Sequence, residues 1–414
     1  MKAYTFYAFV CFFWCTLLHC LGQPAWYGQN SPVNADLVSV SFTDTMHGWI
    51  LGKNGEVLIT QNGGDNWELA TTVTNFKATK IFFLNENYGW ITGFSADGSY
   101  GRALFSENSG YNWIEKIDSL SIYFNDVFFI DENHGWIVGY DTLSDTTNYI
   151  IYTSDAGLKW ERQMTNMFLA GAMRNVHFRD ANHGNIYGTG RFFLLTSDGG
   201  QHWWLSIYNW QIDLMGIYNA GDKYGCMVGS GGKVYITKDN WVNSVSYELP
   251  FSDTLRAISG LEKLKYWAVG DNGSIVQMAY VPAMYLLIIN DQSYSTFNRL
   301  NDVSAVCDSN VWAVGDNGTI LHFGMQQPVN PIVIKDIVQD FFTVYPNPSG
   351  NYVIIDQKHS NNFKASIIND NGTKLSDLIV EPGNKIAIGH LQPGTYFLKI
   401  YNNTECHTSI IIKK

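Results

Sequence analysis

Charged residues are scarce in this chain of 414 residues: Asp, Glu, Lys and Arg make up 15% of it, against ~25% in ordinary soluble domains. Proline is scarce as well, with 10 residues. A disordered chain is excluded, because such chains are rich in charge and proline, whereas Phe, Trp and Tyr here reach 15%. A long coiled coil, built from Glu, Lys and Leu, fails on the same shortage. Positive charge is the scarcer sign: 26 Lys and Arg face 37 Asp and Glu, a formal charge of -11. No nucleic-acid partner is expected, nor an anionic membrane surface, since both are themselves negative.

Long apolar runs are missing too. The run from Tyr4 to Leu18 is shorter than the ~20 residues that span a bilayer, and polar sequence follows at once. Residues 1–22 therefore read as a secretory signal peptide, cleaved after Gly22, which leaves no transmembrane span in the mature chain. An uncleaved anchor and a lipoprotein acylated at Cys20 are the competing readings. Leu17-Leu18-His19-Cys20 suits the second poorly, since His stands where a small residue belongs. Cleavage removes one Lys and no acid, so 25 cations face 37 carboxylates, or -12. Cysteine is depleted by the same cut: Cys11, Cys15 and Cys20 leave, and only Cys226, Cys307 and Cys406 stay. Three such distant residues make no disulfide framework, and without a CxxC pair a cysteine zinc site is not expected. GxSxG, P-loop, HExxH and EF-hand motifs are all absent. No metal and no cofactor are expected.

What the chain does have is one unit written seven times. Gly48-Trp49-Ile50-Leu51-Gly52 returns as Gly89 to Gly93, Gly135 to Gly139, Gly184 to Gly188, Gly225 to Gly229, Tyr266 to Gly270 and Val311 to Gly315. An apolar strand precedes each copy and another follows. A second signature closes the first four copies: Thr60-Gln61-Asn62-Gly63-Gly64-Asp65-Asn66-Trp67, then Ser106 to Trp113, Thr153 to Trp160 and Thr196 to Trp203. Its chemistry suits a tight hairpin. Asn62, Asn108, Asp155 or Asp198 accepts hydrogen bonds from turn N–H groups, Gly takes positive φ, and Trp67, Trp113, Trp160 or Trp203 packs beneath. Thr237 to Trp241 reads as a shortened fifth copy. His47, His134 and His183 recur at one repeat position, which favours a structural role over metal binding.

Four short strands per ~43 residues is the arithmetic of a β-propeller blade. The fold class is therefore all-β: a single seven-bladed propeller over residues 23–325, a linker at 326–340, and a small C-terminal β-sandwich at 341–414. The seventh copy lacks an outer strand, and Trp26-Tyr27-Gly28-Gln29 is expected to supply it, since an open ring exposes strand edges. Nine of the 14 Trp occupy the two repeat positions and are expected in the core.

These motifs carry two resemblances. The HGWIxG strands (His47 to Gly52, His134 to Gly139) joined to SxDGGxxW hairpins resemble the Asp-box, or BNR, propellers of the photosystem II stability/assembly factor family and its secreted bacterial relatives. The last ~75 residues resemble the type A sorting domain of the Bacteroidetes type IX secretion system. Val344-Tyr345-Pro346-Asn347-Pro348, Ile368 to Gly372 and Leu391 to Lys399 (with Gly394 and Tyr396) carry this likeness in the family's order. It implies the type IX secretion machinery as partner, and export to the cell exterior with release or surface anchoring.

The resemblance also raises an enzyme reading, since sialidases share the Asp-box. That family's arginine motif near the N-terminus is not visible, and the chain has seven Arg, at 102, 162, 174, 179, 191, 256 and 299. A xyloglucanase-like pair of acids would need a cleft. The expected function is a non-catalytic propeller that binds an unknown protein or glycan, with a secreted Asp-box glycoside hydrolase as the alternative. By analogy of fold, ligands sit at the central opening, where Lys77, Asp126, Arg174, Asp213, Arg256 and Asp302 precede or begin the inner strands. Asp44-Thr45-Met46, Asp118-Ser119-Leu120, Asp141-Thr142-Leu143, Asp145-Thr146-Thr147 and Asp253-Thr254-Leu255 resemble Bacteroidetes O-glycosylation sequons, and residues 141–147 form a candidate contact loop.

Overall fold

The computed structural model describes residues 24–324 and 342–414, apart from 142–143, 164–168, 170, 207–211, 221–222, 262–263, 285, 294–295, 297, 346, 358–362, 370–373, 381–384 and 402–405. The expected leader at 1–22, linker at 326–340 and motif residue Pro346 lie outside the described residues. The chain divides into two compact units, Met1–Gln326 and Gln327–Lys414. Described residues form strands and short 3-10 turns, and no helix among them is long and apolar enough to cross a membrane.

The described part of the first unit contains seven four-stranded antiparallel sheets. Sheet I comprises Leu37–Phe42, Gly48–Gly52, Glu56–Thr60 and Glu68–Thr72 in chain order, and sheets II to VI repeat that order. Their first strands are Lys77–Phe83, Ile122–Phe129, Met173–Phe178, Leu214–Ala220 and Leu255–Leu261. Sheet VII is composite: Leu300–Cys307, Asn310–Gly315 and Ile320–Gly324 are completed by Ala25–Gln29, with Trp26 opposite Phe323. The N-terminal strand thus supplies the missing outer strand, as its position in the sequence led one to expect. In each sheet the repeated apolar motif is the second strand. Gly48–Gly52, Gly135–Gly139 and Gly184–Gly188 show why it reads as an unbroken apolar run, being buried along their whole length or nearly so. Outer strands such as Glu68–Thr72 are half-exposed and polar.

Neighbouring sheets are joined by a repeated aromatic staple. Trp49 stacks on Phe83 of the next sheet, with centroids 3.7 Å apart. Trp90 on Phe129, Trp136 on Phe178 and Trp312 on Phe42 repeat it at 4.7, 3.6 and 3.6 Å. The hairpin Trp then meets the same Phe edge-on, as Trp67 does Phe42 at 5.8 Å and Trp203 does Phe178 at 5.9 Å. The T-shaped contact is one that ring quadrupoles favour, whereas the close face-to-face stack gains chiefly from the apolar surface it buries. The stack of Trp312 on Phe42 joins sheet VII to sheet I.

The Asp-box hairpins work as their residues suggest. Thr60 Oγ1 donates to Asn62 Oδ1 at 2.9 Å and accepts from Gly64 N, while Asn66 N donates to Asn62 Oδ1. Asn108, Asp155 and Asp198 repeat this geometry. The fifth copy differs from the sequence reading. It is not shortened: Trp241 N donates to Thr237 Oγ1 and Asn243 N to Asp239 Oδ1, so the turn is complete and Trp241 stands at the glycine position with φ 65°. Its side chain fills space that the second-strand Trp fills in other copies, for Asn185 holds that place in sheet IV. His47, His134 and His183 each point Nδ1 at an Asp three residues earlier, 2.7 to 2.9 Å away, bracing the turn before the second strand. Among the described residues no group of His, Cys, Asp and Glu could hold a metal ion.

The second unit pairs two antiparallel sheets. One orders Phe342–Tyr345, Tyr352–Gln357 and Lys385–Ala387; the other orders Lys374–Val380, Phe363–Asn369, Gly394–Tyr401 and Cys406–Lys413. Val353, Ile355 and Ile386 of the first share one hydrophobic cluster with Ala365, Ile367, Leu398 and Ile411 of the second. The edge strand Lys374–Val380 lacked a clear signal in sequence because its alternation is broken, Leu375 being exposed. Of the motif residues, Tyr345 is exposed, Asn347 Oδ1 accepts from Ile412 N, and Pro348 is exposed beside it. Tyr396 is buried, its Oη donating to Gln392 O just before Gly394, which begins its strand.

Candidate functional site

The seven first strands of the first unit wall a common cavity of about 510 Å³. Each of them carries an irregularity near its start, between Leu37/Ser39, Ala78/Lys80, Phe124/Asp126, Met173/Asn175, Leu214/Gly216, Leu255/Ala257 and Leu300/Asp302. The residue skipped by the register is Val38, Thr79, Asn125, Arg174, Met215, Arg256 or Asn301, and all seven line the cavity. A bulge re-aims one side chain without breaking the sheet, which is how every strand presents one residue here. The last glycine of the repeated motif has the same origin. A Cβ on Gly93 would strike Lys77 O, and one on Gly139 would strike Tyr123 O, because the bulged strand presses its carbonyl there.

Four of the six residues expected at the central opening line this cavity: Asp126, Arg174, Arg256 and Asp302. Lys77 and Asp213 are not among its lining residues. Lys77 Nζ lies 2.8 Å from Asn54 Oδ1, and Asp213 Oδ1 accepts from Gly190 N. The sequence reading missed Lys80, which is the fourth residue of its strand and carries no repeat signal. Its Nζ lies 2.9 Å from Asp302 Oδ2. Burial alone would lower the lysine pKa, but the Asp302 and Asp126 carboxylates outweigh it and raise the value.

The two buried carboxylates are engaged in structure. Asp302 Oδ2 accepts from Ser39 Oγ at 2.7 Å and Val40 N at 3.1 Å, joining sheet VII to sheet I, while Oδ1 accepts from Val303 N. Asp126 Oδ2 accepts from Val176 N and Asn175 Nδ2 of sheet IV, and Oδ1 from Val127 N. Burial raises the Asp126 pKa to about 6, opposed by Lys80 and by those backbone donors. Tyr187 Oη ties sheet IV to sheet V by accepting from Ile217 N. Nearby, His177 is held neutral by desolvation, with a pKa of about 4.

The arginines divide in a similar way. Arg256 Nε is 2.6 Å from Asp271 Oδ1 and Arg299 Nη2 is 3.1 Å from Asp316 Oδ1, the carboxylates lying in the turns after the second strands of sheets VI and VII. Arg174 is exposed. Two of the three cavity arginines are thus oriented by local carboxylates. Across the whole lining, Lys53, Lys80, Arg174, Arg256 and Arg299 face Asp36, Asp126 and Asp302. The cavity carries more cations than anions in a chain whose net charge is -11.

Residues 20–121 and 108–377 match the family described as photosynthesis system II assembly factor YCF48, and residues 343–414 match the secretion system C-terminal sorting domain. Photosystem II assembly protein Ycf48 of Thermosynechococcus vestitus (strain NIES-2133 / IAM M-273 / BP-1) is 38% identical over 48 residues, 12% of this chain and 14% of that protein. The match therefore spans a small part of that curated relative's length. Several solved structures share the fold. YCF48 bound to D1 peptide aligns at TM-score 0.58 and 18% identity, over 73% of this chain and 99% of that one. YCF48 from Cyanidioschyzon merolae aligns at 0.56 and 17%, over 72% and 98%. The WD40 propeller domain of Doa1 aligns at 0.58 and 10%, over 74% and 98%. The first unit is accordingly a β-propeller, and the sorting domain assigns the chain to type IX secretion. By the extent of its match, the chain belongs to the photosynthesis system II assembly factor YCF48 family and adds to it a secretion-system sorting domain.

Proposed function

We propose that this protein is a non-catalytic, seven-bladed propeller, exported by its C-terminal β-sandwich, whose central opening binds an anionic protein segment. The leader at residues 1–22 would take the chain to the periplasm, and the sorting domain at 341–414 across the outer membrane, to be released or held at the surface. The observation that carries the binding reading is the charge of the cavity. Five cations face three carboxylates there, in an acidic chain, and one of the cations, Arg174, is exposed. Lys53, Lys80, Arg256 and Arg299 are each paired with a carboxylate, so Arg174, which makes no ion pair among the described residues, is the cation that would meet an anionic ligand. The relative solved with a D1 peptide offers precedent within the family for a peptide ligand.

The same geometry supports the absence of catalysis. A glycoside hydrolase needs one carboxyl to give a proton and another to act as base or nucleophile. Asp126 and Asp302 instead accept several hydrogen bonds from the next sheet, which fixes them as joints. The test is fluorescence anisotropy with dye-labelled acidic peptides bearing a free C-terminal carboxylate, beside amidated and lysine-substituted versions. Acidic peptides should bind more tightly, weaken with added salt, and lose about tenfold or more in affinity on Arg174→Ala combined with Arg256→Ala. Equal binding of acidic and basic peptides would refute the reading, as would polysaccharide turnover abolished by Asp126→Asn.

A further inference from the structure

The aromatic staple between sheets is interrupted once by a pair of amides. Asn185 takes the place of Trp49, Trp90 and Trp136 in its strand, and Asn219, opposite Gly225, takes the place of Phe42, Phe83, Phe129 and Phe178. Elsewhere the substituted interfaces are refilled with rings. Tyr218 and Tyr266 meet between sheets V and VI, and Trp267 packs on Trp26 and Phe323 between VI and VII. Between sheets IV and V, Trp241 restores part of the lost volume and donates from Nε1 to Asn219 Oδ1 at 2.8 Å. A cavity of about 280 Å³ nevertheless remains, with Asn185 and Asn219 in its wall.

Asn185 is 5% exposed, and its Oδ1 accepts no hydrogen bond. A buried acceptor without a partner costs stability that a ligand donor would return. Asn185 Oδ1 is one of eight buried side-chain polar atoms without a partner among the described residues, and it borders the cavity between sheets IV and V. The remaining wall indicates what that donor belongs to. Ser197 and Asn240 add a neutral hydroxyl and an amide, the Thr196 hydroxyl being taken up by its own hairpin, and Trp204, 47% exposed, adds an indole at the rim. The wall's two basic side chains, Arg179 and His183, are both paired with Asp180. The cavity is therefore neutral, polar and bordered by one aromatic ring.

We infer that the cleft between sheets IV and V is a binding site for a single neutral pyranose, a terminal or internal sugar of a glycan. A sugar hydroxyl donates to Asn185 Oδ1, other hydroxyls exchange hydrogen bonds with the side chains of Ser197 and Asn240, and the apolar C–H face of the ring rests on Trp204. The volume agrees, since it lies slightly under the ~300–1,000 Å³ of pockets that take drug-sized ligands. A hydrocarbon ring from a partner protein fits worse, because it would leave Asn185 Oδ1 unpaired. This site is separate from the central opening and does not depend on what binds there.

The experiment is saturation-transfer NMR on the full chain with the methyl pyranosides of glucose, galactose, mannose and N-acetylglucosamine. At least one should give transfer to its ring protons, with affinity in the millimolar range. Trp204→Ala, at an exposed position where folding is not at stake, should weaken it by about tenfold or more, and Asn185→Leu should do the same. Leu69→Ala, on the exposed outer strand of sheet I, should leave it unchanged. No transfer from any glycoside at about 10 mM with the folded chain would overturn the proposal, that being well above the Kd expected of such a site. So would transfer undiminished in Trp204→Ala, or a tryptophan-containing peptide that occupies the cleft where glycosides do not.

Discussion

Tyr27 Oη lies 2.6 Å from His322 Nδ1, and the two residues face each other across the strand pair that completes sheet VII. The other ring nitrogen, Nε2, is 3.2 Å from Asn310 Oδ1, so a neutral imidazole with its proton on Nε2 satisfies both partners. Stacking on Trp312 with centroids 4.4 Å apart completes its burial. Desolvation holds the His322 pKa at about 4, below the ordinary ~6.5.

Acid should therefore loosen the ring at its closure. When a histidine's folded value is depressed, the unfolded chain takes up its proton first as pH falls. The stability tied to neutral His322 is thus complete above pH ~6.5 and is lost on the way down to about 4. His177 acts in the same sense, and Asp126, whose pKa is raised to about 6, in the opposite one. Urea unfolding of wild type and His322→Gln between pH 7 and pH 4.5 separates them: the variant should lose less stability over that interval. Tyr27→Phe should cost about 1 kcal/mol at pH 7, the worth of one hydrogen bond. An identical pH profile for His322→Gln would show that the closure does not titrate.

The stack of Trp49 on Phe83 is expected to hold sheets I and II together. Trp49 is buried, and its Nε1 also donates to Ser109 O in the next sheet's hairpin. Trp49→Ala should destabilise by about 3–5 kcal/mol through the cavity it leaves, and Trp49→Phe by less. Trp204→Ala, at an exposed outer strand, should stay within about 0.5 kcal/mol of wild type. Equilibrium denaturation of the three variants gives the ordering directly. A loss for Trp49→Ala no larger than that for Trp204→Ala would remove the staple from the account of stability.

Sheets I to III were readable because their sequences state the rule openly. A buried strand such as Gly135–Gly139 repeats the spacing of Gly48–Gly52, and Trp160 keeps the distance from Thr153 that Trp67 keeps from Thr60. The closing strand was legible for the same reason, as Trp26 stands one outer strand short of a complete set. Two features escaped. Lys80 enters the cavity because a bulge at Ala78/Lys80 shifts the alternation by one, and a local shift leaves no periodic trace. The amide pair Asn185 and Asn219 lies 34 positions apart in sequence, so its meaning appears only once the sheets are side by side. What distinguishes this propeller lies in such departures, while the repeat encodes the scaffold.

Trp241 tests whether the turn rule or the packing rule governs sheet V. Its φ of 65° is the conformation that the other hairpins give to glycine, and a side chain there costs about 1 kcal/mol. Trp241→Gly relieves that strain but empties a buried ring site, for which truncations cost about 3–5 kcal/mol. The variant should therefore be destabilised by roughly 2–4 kcal/mol, although it restores the glycine of the other copies. A stabilised variant in thermal or urea unfolding would mean that the ring contributes nothing to the gap beside Asn185.

The pair of Lys80 and Asp302 should respond unequally to loss of either member. Asp302→Ala strands three donors at once, Ser39 Oγ, Val40 N and Val303 N, and leaves the ammonium of Lys80 largely buried without its nearest carboxylate. Breaking a buried pair in this way typically costs about 3–5 kcal/mol. Lys80→Met removes one donor from a carboxylate that keeps three others, and its methylenes retain the packing, so about 1–2 kcal/mol is expected. A double-mutant cycle in urea should return a coupling of roughly 1–3 kcal/mol. Were Lys80→Met the costlier change, the joint between sheets VII and I would rest on the ion pair rather than on the three other donors to Asp302.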